Sequence, residues 1–240
     1  MRILPVLDIL DGVVVRGVGG RRSEYQPLIS RLTQSSEPLE VAAALRSAFG
    51  LHSFYLADLD AILFGRPNTD LYRQLIQQGF ELLVDAGIRT SSDAAELRTT
   101  GISRLVVGLE TCRSPQDLAL ICQEGTGVVF GLDLLRSVPQ ISKYADGWQT
   151  TPHEIAAQAV GAGVESILPL DLADVGMGTG GSTDSFCQQI RRDSPGTHLI
   201  VGGGVRDRDD LERLYKLGVD EVLVASALHD GRLSRDDMSL

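Results

Sequence analysis

Eight short apolar runs, each followed by a longer polar or amphipathic stretch, most restrict the fold of this 240-residue chain. The runs are mostly continuous and not alternating, which is typical of a parallel sheet covered by helices. They are Ile3–Ile9, Ser53–Leu59, Glu81–Asp85, Arg104–Gly108, Val128–Asp133, Ser166–Asp171, His198–Gly202 and Glu221–Ala225. Eight such units predict a closed (β/α)8 barrel, or TIM barrel, as a single domain over 1–240. An open doubly wound sheet is the alternative.

Helix-like segments separate these predicted strands. They are Pro38–Phe49, Thr69–Gln78, Ser91–Thr100, Pro115–Gln123, Pro152–Ala162, Ser182–Arg192 and Arg208–Leu217. A capping residue followed by proline begins two of them, at Ser114-Pro115 and Thr151-Pro152, and Gly101 and Gly218 end two others. The pattern therefore predicts one outer helix after each of the first seven strands.

An internal repeat relates the two halves of the chain. Ala86-Gly87-Ile88-Arg89 matches Gly203-Gly204-Val205-Arg206 at an offset of 117 residues, and Asp93 then falls on Asp210. Upstream, Leu7-Asp8 and Leu132-Asp133 end the first and fifth predicted strands. The shared order of these motifs predicts two half-barrels of four units each, about 1–125 and 126–233, with insertions confined to loops.

Composition argues against several classes of protein. A net charge of −10 argues against a nucleic-acid surface, which needs a basic stripe, and no run of about 18 apolar residues suggests a membrane span. The four histidines have no paired spacing, which argues against a transition-metal site. Three cysteines, an odd number, indicate free thiols in a reducing compartment. We therefore expect a cytoplasmic protein without a bound metal.

Two aspartates are candidates for catalysis. The active site of a barrel forms where the C-terminal ends of the strands meet the following loops. Asp8 and Asp133 end strands one and five, which lie opposite each other in an eight-stranded barrel. One carboxylate can accept a proton while the other, if its pKa is raised, donates one. Capping a helix or fixing a loop is the alternative role, and the repeat-equivalent positions favour catalysis.

Small residues follow the third, fourth, seventh and eighth strands. Backbone N–H groups approach an anion closely where side chains are small, and the loops after strands seven and eight of a barrel commonly bind phosphate. The repeat predicts a second phosphate site in the first half. The candidate phosphate contacts are Gly87, Arg89, Gly108, Gly178, Gly203, Gly204, Ala225 and Ser226.

Other loop residues are candidate substrate contacts. The long first loop is basic and rich in glycine, so Arg16, Gly19 and Gly20 are predicted to belong to a lid that clamps an anion; a solvated surface loop is the alternative. Trp148, the only tryptophan, is predicted either to stack on a flat substrate ring or to pack against the rim. Asp171, at the end of strand six, is predicted to contact a sugar hydroxyl or to cap a helix.

Several motifs, in order, resemble the histidine-biosynthesis (β/α)8-barrel family. They are Pro5-Val6-Leu7-Asp8, Asp58-Leu59-Asp60-Ala61, Ala86-Gly87-Ile88-Arg89, Gly131-Leu132-Asp133, Gly147-Trp148 and Gly202-Gly203-Gly204-Val205. The similarity runs from about Met1 to Leu233. That family comprises the phosphoribosylformimino-aminoimidazole-carboxamide ribotide isomerase and the cyclase subunit of imidazole glycerol phosphate synthase. The motif that begins at Asp58 is more similar to the isomerase.

The resemblance implies an isomerase of histidine biosynthesis. In that family the reaction is an Amadori rearrangement of a bisphosphorylated ribotide from an aminoaldose to an aminoketose, with no cofactor or metal. By the same resemblance, Asp8 matches the general base and Asp133 the general acid. The implied ligand is a small phosphorylated substrate, and nothing in the sequence identifies a protein partner.

The chain departs from the family pattern at several motifs, including Ala225 after strand eight, the first loop, and the motifs after strands three, four and six. Val175-Gly176-Met177 stands where the family has Asp-Gly-Thr, Asp85-Ala86-Gly87 where it has three glycines, and Gly108-Leu109 where it has Gly-Thr. These differences leave two alternatives open. One is a paralogous enzyme for another phosphorylated metabolite, for example in one-carbon cofactor biosynthesis. The other is a non-catalytic barrel that binds a phosphorylated ligand.

Overall fold

The computed structural model describes residues 1–125, 127–177 and 181–239 and shows a closed barrel of eight parallel strands. The strands are β1 Arg2–Leu10, β2 Ser53–Asp58, β3 Glu81–Asp85, β4 Arg104–Gly108, β5 Val128–Leu135, β6 Ser166–Asp171, β7 His198–Val201 and β8 Glu221–Val224. Gly178, one of the candidate phosphate contacts, lies outside the described residues. The (β/α)8 barrel predicted from the sequence is confirmed, and the open-sheet alternative is wrong.

Hydrogen bonding between the first and last strands closes the barrel. β1 pairs in parallel with β8, from Arg2 opposite Glu221 to Pro5 opposite Val224. Its other edge pairs with β2, and the remaining strands follow in chain order. Because all eight strands run the same way, their C-terminal ends meet at one end of the barrel, which we call the mouth.

Helices cover the outside of the barrel. They span Pro38–Phe49, Leu59–Phe64, Thr69–Gln77, Ser91–Arg98, Pro115–Gln123, Pro152–Gly161, Asp184–Asp193, Arg208–Lys216 and Ser226–His229. Each of the seven helices predicted from the sequence is present to within two residues at either end. The short helices Leu59–Phe64 and Ser226–His229 were not predicted, because neither is long enough to show a helical period.

The strands supply two separate hydrophobic cores because successive side chains of a strand point to opposite faces. One core fills the barrel and contains Leu4, Tyr55, Leu83, Val106, Val129, Leu168, Ile200 and Leu223. The other lies between the strands and the outer helices and contains Leu7, Leu56 and Val107 among many others. The inward set on β1 therefore runs from Leu4 through Val6 to Asp8, so that Asp8 faces into the mouth.

Two loops fold back over the mouth. Val13–Arg16 pairs antiparallel with the end of β1 and then with Gln26–Pro27. The segment between these two short strands, residues 17–25, is called the lid below. Val138–Pro139 pairs antiparallel with the end of β5. The turn that joins this last pair contains Arg136 and Ser137, both with positive φ.

The same capping turn occurs at the two positions that the sequence repeat pairs. After β3, the N–H of Arg89 donates to Asp93 at 3.0 Å, and after β7 the N–H of Arg206 donates to Asp210 at 2.9 Å. In each case the aspartate lies in the first turn of the following helix. The two halves thus begin these helices in the same way.

The described chain contains no helix that is both long and apolar enough to cross a membrane. Cys112, Cys122 and Cys187 are all free thiols, and Cys112 and Cys187 are buried. They lie among the helices, and none of them lines the cavity at the mouth.

Candidate active site

A cavity of about 1070 Å³ occupies the mouth of the barrel. Alternation along the strands explains which side chains reach it: Leu83 precedes Asp85 on the inward face of β3, and Val129 precedes Asp133 on that of β5. Carboxyl groups from β1, β3 and β5 therefore line one cavity. The sequence predicted two of them, Asp8 and Asp133.

Asp8 and Asp133 lie on strands four places apart in the ring of eight, so they approach the cavity from opposite sides. Within residues 1–125, 127–177 and 181–239, no hydrogen bond to either carboxyl group is present. Most polar groups this far inside a protein are satisfied by protein partners. Two carboxyl groups that face a cavity without such partners are arranged for a ligand.

The surroundings of the two aspartates raise their pKa values. Burial raises the pKa of Asp8 to about 7, against the opposing effect of the Arg22 guanidinium. Burial also raises the pKa of Asp133 well above its usual range, and the negative charges of Glu110 and Asp85 add to this effect. With a pKa of about 7, Asp8 can accept or release a proton near neutral pH, and the raised pKa of Asp133 favours its protonated, proton-donating form.

Two further acids line the same cavity and were not proposed as site residues from the sequence. Asp85 ends β3, and burial raises the pKa of its carboxyl group to about 6. Glu110 follows β4 and lies 2.8 Å from Arg22 of the lid. Together with Asp133 they form one side of the cavity, which we call the acidic wall. The Tyr55 hydroxyl, 3.5 Å from an oxygen of Asp85, lies beneath it.

The lid covers the cavity and is attached on both sides. The N–H of Gly19 donates to the carbonyl oxygen of Val175, in the loop after β6, at 2.7 Å. Arg22 reaches the other side and pairs with Glu110 after β4. Gly19, Gly20, Arg22 and the lid's Tyr25 all line the cavity. Of the three predicted lid residues, Gly19 and Gly20 therefore line the cavity, whereas Arg16 lies in the short strand before the lid and does not.

Small residues form the opposite side of the cavity, after β7 and β8. Gly203 and Gly204 have φ of +93° and +73°, a left-handed conformation that glycine adopts without strain. They line the cavity with Ala225 and Ser226, and we call these four residues the glycine side. Arg232, whose guanidinium donates to Asp230 at 3.2 Å, lines the same cavity. The absence of large side chains, with a cation close by, suits this side for an anion.

A family model described as histidine biosynthesis protein matches residues 2–234. The chain belongs to this family. A relative from Methanocaldococcus jannaschii, named only as uncharacterized, is 30% identical over 241 residues, which cover 99% of this chain and 97% of the relative. An imidazole-4-carboxamide isomerase from Listeria welshimeri, whose name contains two phosphoribosyl groups, is 27% identical over 242 residues, with 100% and 97% covered. The isomerase of the same name from Streptococcus sanguinis is 28% identical over 246 residues, with 99% and 97% covered.

In this member of the histidine biosynthesis protein family, the turn after β3 is not open to the cavity. The N–H of Gly87 donates to Oδ1 of Asp85 at 3.1 Å, so the side chain of Asp85 occupies the turn. Gly87, Gly108 and Arg89 do not line the main cavity. Arg89 instead donates to the carbonyl oxygens of Gly87 and Ile62, at 2.9 and 3.1 Å. The structure therefore does not bring these three candidate phosphate contacts to the cavity.

Arg16 and Trp148, two further candidate substrate contacts, also lie away from the cavity. Arg16 forms two hydrogen bonds with the carboxylate of Asp230, at 3.1 and 3.0 Å. Trp148 stacks on Phe130 with 5.2 Å between ring centroids, and its indole N–H donates to the carbonyl oxygen of Cys112 at 3.2 Å. Of the two predicted roles of this tryptophan, the geometry corresponds to packing against the rim.

Asp171 holds a loop in place. Its carboxylate accepts hydrogen bonds from the N–H groups of Arg136, Ser137 and Ala173, at 2.9, 2.8 and 3.1 Å, and the residue is 1% exposed. These three donors fill both oxygens and fix the left-handed turn after β5. Asp58, at the end of β2, is occupied in a similar way by two backbone N–H groups and the hydroxyl of Tyr72.

No group of three or more histidine, cysteine, aspartate or glutamate side chains in the part of the chain that the structure describes has the arrangement of a metal site. The carboxyl groups of the mouth belong to separate strands and are spread around the cavity. The chemistry that this arrangement supports is proton transfer between two acids across a bound ligand.

Proposed function

We propose that this chain is an isomerase that converts a phosphorylated aminoaldose into an aminoketose by an Amadori rearrangement, with Asp8 as the base and Asp133 as the acid. The observation that carries this proposal is the pair of opposed carboxyl groups, both free of hydrogen bonds to described residues and both with raised pKa values. Membership of the histidine biosynthesis protein family and the names of two relatives support the reaction class.

The proposed steps need no redox partner. Asp133 donates its proton to the ring oxygen of the sugar, and the ring opens to a protonated Schiff base between C1 and the amino nitrogen. Asp8 then removes the proton on C2, and the electron pair moves to give an enolamine. Protonation of C1 and loss of the hydroxyl proton on C2 yield the ketone. The product is an isomer of the substrate, because one hydrogen has moved from C2 to C1. A second hydrogen has moved from the hydroxyl oxygen on C2 to the former ring oxygen.

Each end of the cavity has a role in this scheme. The glycine side supports binding of the substrate's phosphate through small residues and Arg232. The lid excludes water from the Schiff base, because Gly19 and Arg22 attach it to opposite sides of the mouth. The tyrosine hydroxyl of Tyr55 stays protonated, since burial raises its pKa well above the usual value.

The first substrate to test is the bisphosphorylated precursor of histidine biosynthesis, because the relatives' names contain two phosphoribosyl groups. Isomerisation by the purified protein and growth of an isomerase-deficient histidine auxotroph are the two measurements. Asp8→Asn and Asp133→Asn are each expected to lower kcat by about 10²- to 10⁴-fold, the usual contribution of an acid or a base.

Asp11→Asn is the matched control for these variants. Asp11 is exposed, lies three residues beyond Asp8 and does not line the cavity. It is expected to retain full activity. Activity that persists in folded Asp8→Asn or Asp133→Asn would contradict the proposed mechanism. A fully folded protein that isomerises no phosphorylated aminoaldose would contradict the reaction class.

A paralogous enzyme for another phosphorylated metabolite is the second candidate, and one observation favours it. Asp85 occupies the turn after β3 that is glycine-rich in the family pattern, and Glu110 lies beside it. Failure of the chain to restore growth of the histidine auxotroph, together with turnover of a different phosphorylated aminoaldose, would support this second candidate over the first.

A further inference from the structure

The two ends of the cavity differ in charge. On the glycine side, the end of β7 continues into Gly202 and Gly203, and Gly202 is the repeat equivalent of Asp85. On the acidic wall, Asp85, Glu110 and Asp133 all face the cavity. One cation, Arg22, lies close enough to these acids to influence the pKa values of Asp85 and Asp133. The acidic side chains of this wall therefore outnumber Arg22.

The backbone of the turn after β3 is closed to an anion for two reasons. Asp85 already accepts the N–H of Gly87, which a bound phosphate would need. Gly87 is also packed against helix Leu59–Phe64: a Cβ added to it would lie 2.8 Å from the Cα of Ile62. The turn therefore has neither free space nor a free N–H group at Gly87 with which to bind an anion.

The cations near the acidic wall are already engaged. Arg22 donates to Glu110, and Arg89 donates to two carbonyl oxygens away from the main cavity. A neighbouring cleft of about 820 Å³ is lined by Arg89, Arg113 and Lys143. Arg113 is bonded to Asp117, and the ammonium group of Lys143 lies 5.0 Å from the ring centroid of Tyr144. Glu110 and Arg22 line both the cleft and the main cavity, so a ligand that extends from one to the other passes the Glu110 carboxylate.

We infer that the acidic wall binds a protonated amine, and that the substrate carries a phosphate at the glycine side alone. This inference rests on the proposed isomerase and specifies its substrate: an aminoaldose 5-phosphate whose amino nitrogen bears an arm ending in an ammonium group. The ammonium group pairs with Asp85 and Glu110. The sugar phosphate lies against Gly203, Gly204 and Ser226.

The raised pKa values agree with this assignment. Burial and the negative charge of Glu110 raise the pKa of Asp85 to about 6, and burial with the charges of Glu110 and Asp85 raises the pKa of Asp133 well above its usual range. An ammonium group paired with Asp85 and Glu110 would favour the charged form of Asp85, so binding at a pH near 6 would release protons. Calorimetry in two buffers of different ionisation enthalpy would detect that release.

Three compounds that differ only at one end provide the test. They are the 1-amino-1-deoxyribulose 5-phosphates made with ethylenediamine, ethanolamine and phosphoethanolamine, which end in an ammonium, a hydroxyl and a phosphate group. Calorimetric binding to the full-length wild-type chain is expected to be at least tenfold tighter for the ammonium compound than for the phosphate compound. The hydroxyl compound is expected to lie between them.

Variants identify the wall as the source of the preference. Asp85→Asn keeps an oxygen that can accept the Gly87 N–H, and Glu110→Gln keeps the size of the side chain. Each is expected to reduce the preference for the ammonium compound by threefold or more, and Asp85→Gly to improve binding of the phosphate compound. Asp70→Asn, at an exposed helix start on the outside of the barrel, is the control and is expected to leave the preference unchanged.

Two results would overturn the inference: equal or tighter binding of the phosphate compound by the wild-type chain, or a preference for ammonium that survives in the folded Asp85→Asn/Glu110→Gln double variant. Turnover of the matching glycosylamines is measured separately. The expected binding order without any turnover would count against the isomerase alone. Turnover with tight binding of the phosphate compound would count against the ammonium site alone.

Discussion

The turns after β3 and β7 share a scaffold but present opposite chemistry to the cavity. In both, an arginine N–H donates to an aspartate in the next helix, and in both a glycine adopts a positive φ. Yet Asp85 fills the first turn, and Gly203 and Gly204 leave the second open to the cavity. The comparison teaches that a repeat can keep its capping geometry while one residue decides whether the turn accepts an anion.

The largest expected effect comes from placing a negative charge on the glycine side. Ser226→Asp is expected to lower kcat/KM at least a hundredfold, because two like charges about 4 Å apart repel by about 4 kcal/mol at an effective dielectric constant of 20. Ser226→Ala, which adds no charge, is expected to stay within about threefold. Steady-state kinetics with an aminoaldose 5-phosphate measures both. Equal losses in the two variants would place the phosphate elsewhere.

Asp8 in the mouth and Asp210 behind the glycine side are expected to make contributions to stability that respond oppositely to pH. The pKa of Asp8 is about 7 in the folded chain and near 4 when unfolded, so the native state holds an extra proton between these values. Stability is consequently lost as pH rises through this window. Asp8→Asn is expected to raise the free energy of unfolding at pH 8 by about 2 kcal/mol and to have little effect at pH 4.

Asp210, behind the glycine side, has the opposite effect on how stability changes with pH. Its hydrogen bonds from Arg206 lower the pKa of its carboxyl group, so its contribution is present above pH 4 and is lost as pH falls further. Asp210→Asn is expected to reduce the free energy of unfolding at pH 7 by about 1.5 kcal/mol. Urea unfolding at several pH values measures both variants. A stabilising Asp210→Asn, or a destabilising Asp8→Asn at pH 8, would contradict the comparison.

A smaller effect is expected at the lid. Arg22→Ala removes the contact to Glu110 and is expected to raise KM about tenfold, while the free energy of unfolding changes by less than about 1 kcal/mol, because the pair is partly exposed. Glu24→Ala is the matched control, since Glu24 pairs with Arg21 within the lid itself and does not line the cavity. A loss of the same size in both variants would show that lid charge, and not its attachment to the acidic wall, matters.

The smallest effect on activity is expected at Trp148. Trp148→Phe removes the hydrogen bond to Cys112 and is expected to cost about 1 kcal/mol of stability, with activity within twofold of wild type. As the chain has one tryptophan, its fluorescence reports on this position alone. Strong quenching by a bound substrate analogue would show that the ring moves into the cavity on binding.

The sequence predicted the barrel well because its signals are local. Strand and helix bounds follow from continuous apolar runs, capping residues and glycines, and the ends of β1 and β5 placed Asp8 and Asp133 in the mouth. Glu110 of the acidic wall was missed for the opposite reason. Glu110 reaches the cavity through a contact with Arg22, 88 residues earlier, and no local pattern encodes that pairing.

Asp85 and Asp171 show a second limit of sequence reasoning. Both end a strand, and Asp8 and Asp133 lie two residues before the ends of theirs. Backbone N–H groups fill the carboxylate of Asp171, and one such group binds Asp85. Which carboxylates remain available to a ligand depends on loops that fold back over the mouth. The hairpin after β5 takes up Asp171, and its position follows from tertiary packing rather than from residue type.

The double attachment of the lid has a consequence for the rate of turnover. Opening of the lid would break two different contacts: a backbone hydrogen bond at Val175, which is insensitive to salt, and the partly exposed ion pair between Arg22 and Glu110, which salt weakens. Ionic strength therefore acts on one edge of the lid only. In this arrangement, the lid is held near β6 by a backbone hydrogen bond, and the ion pair near β4 controls its opening.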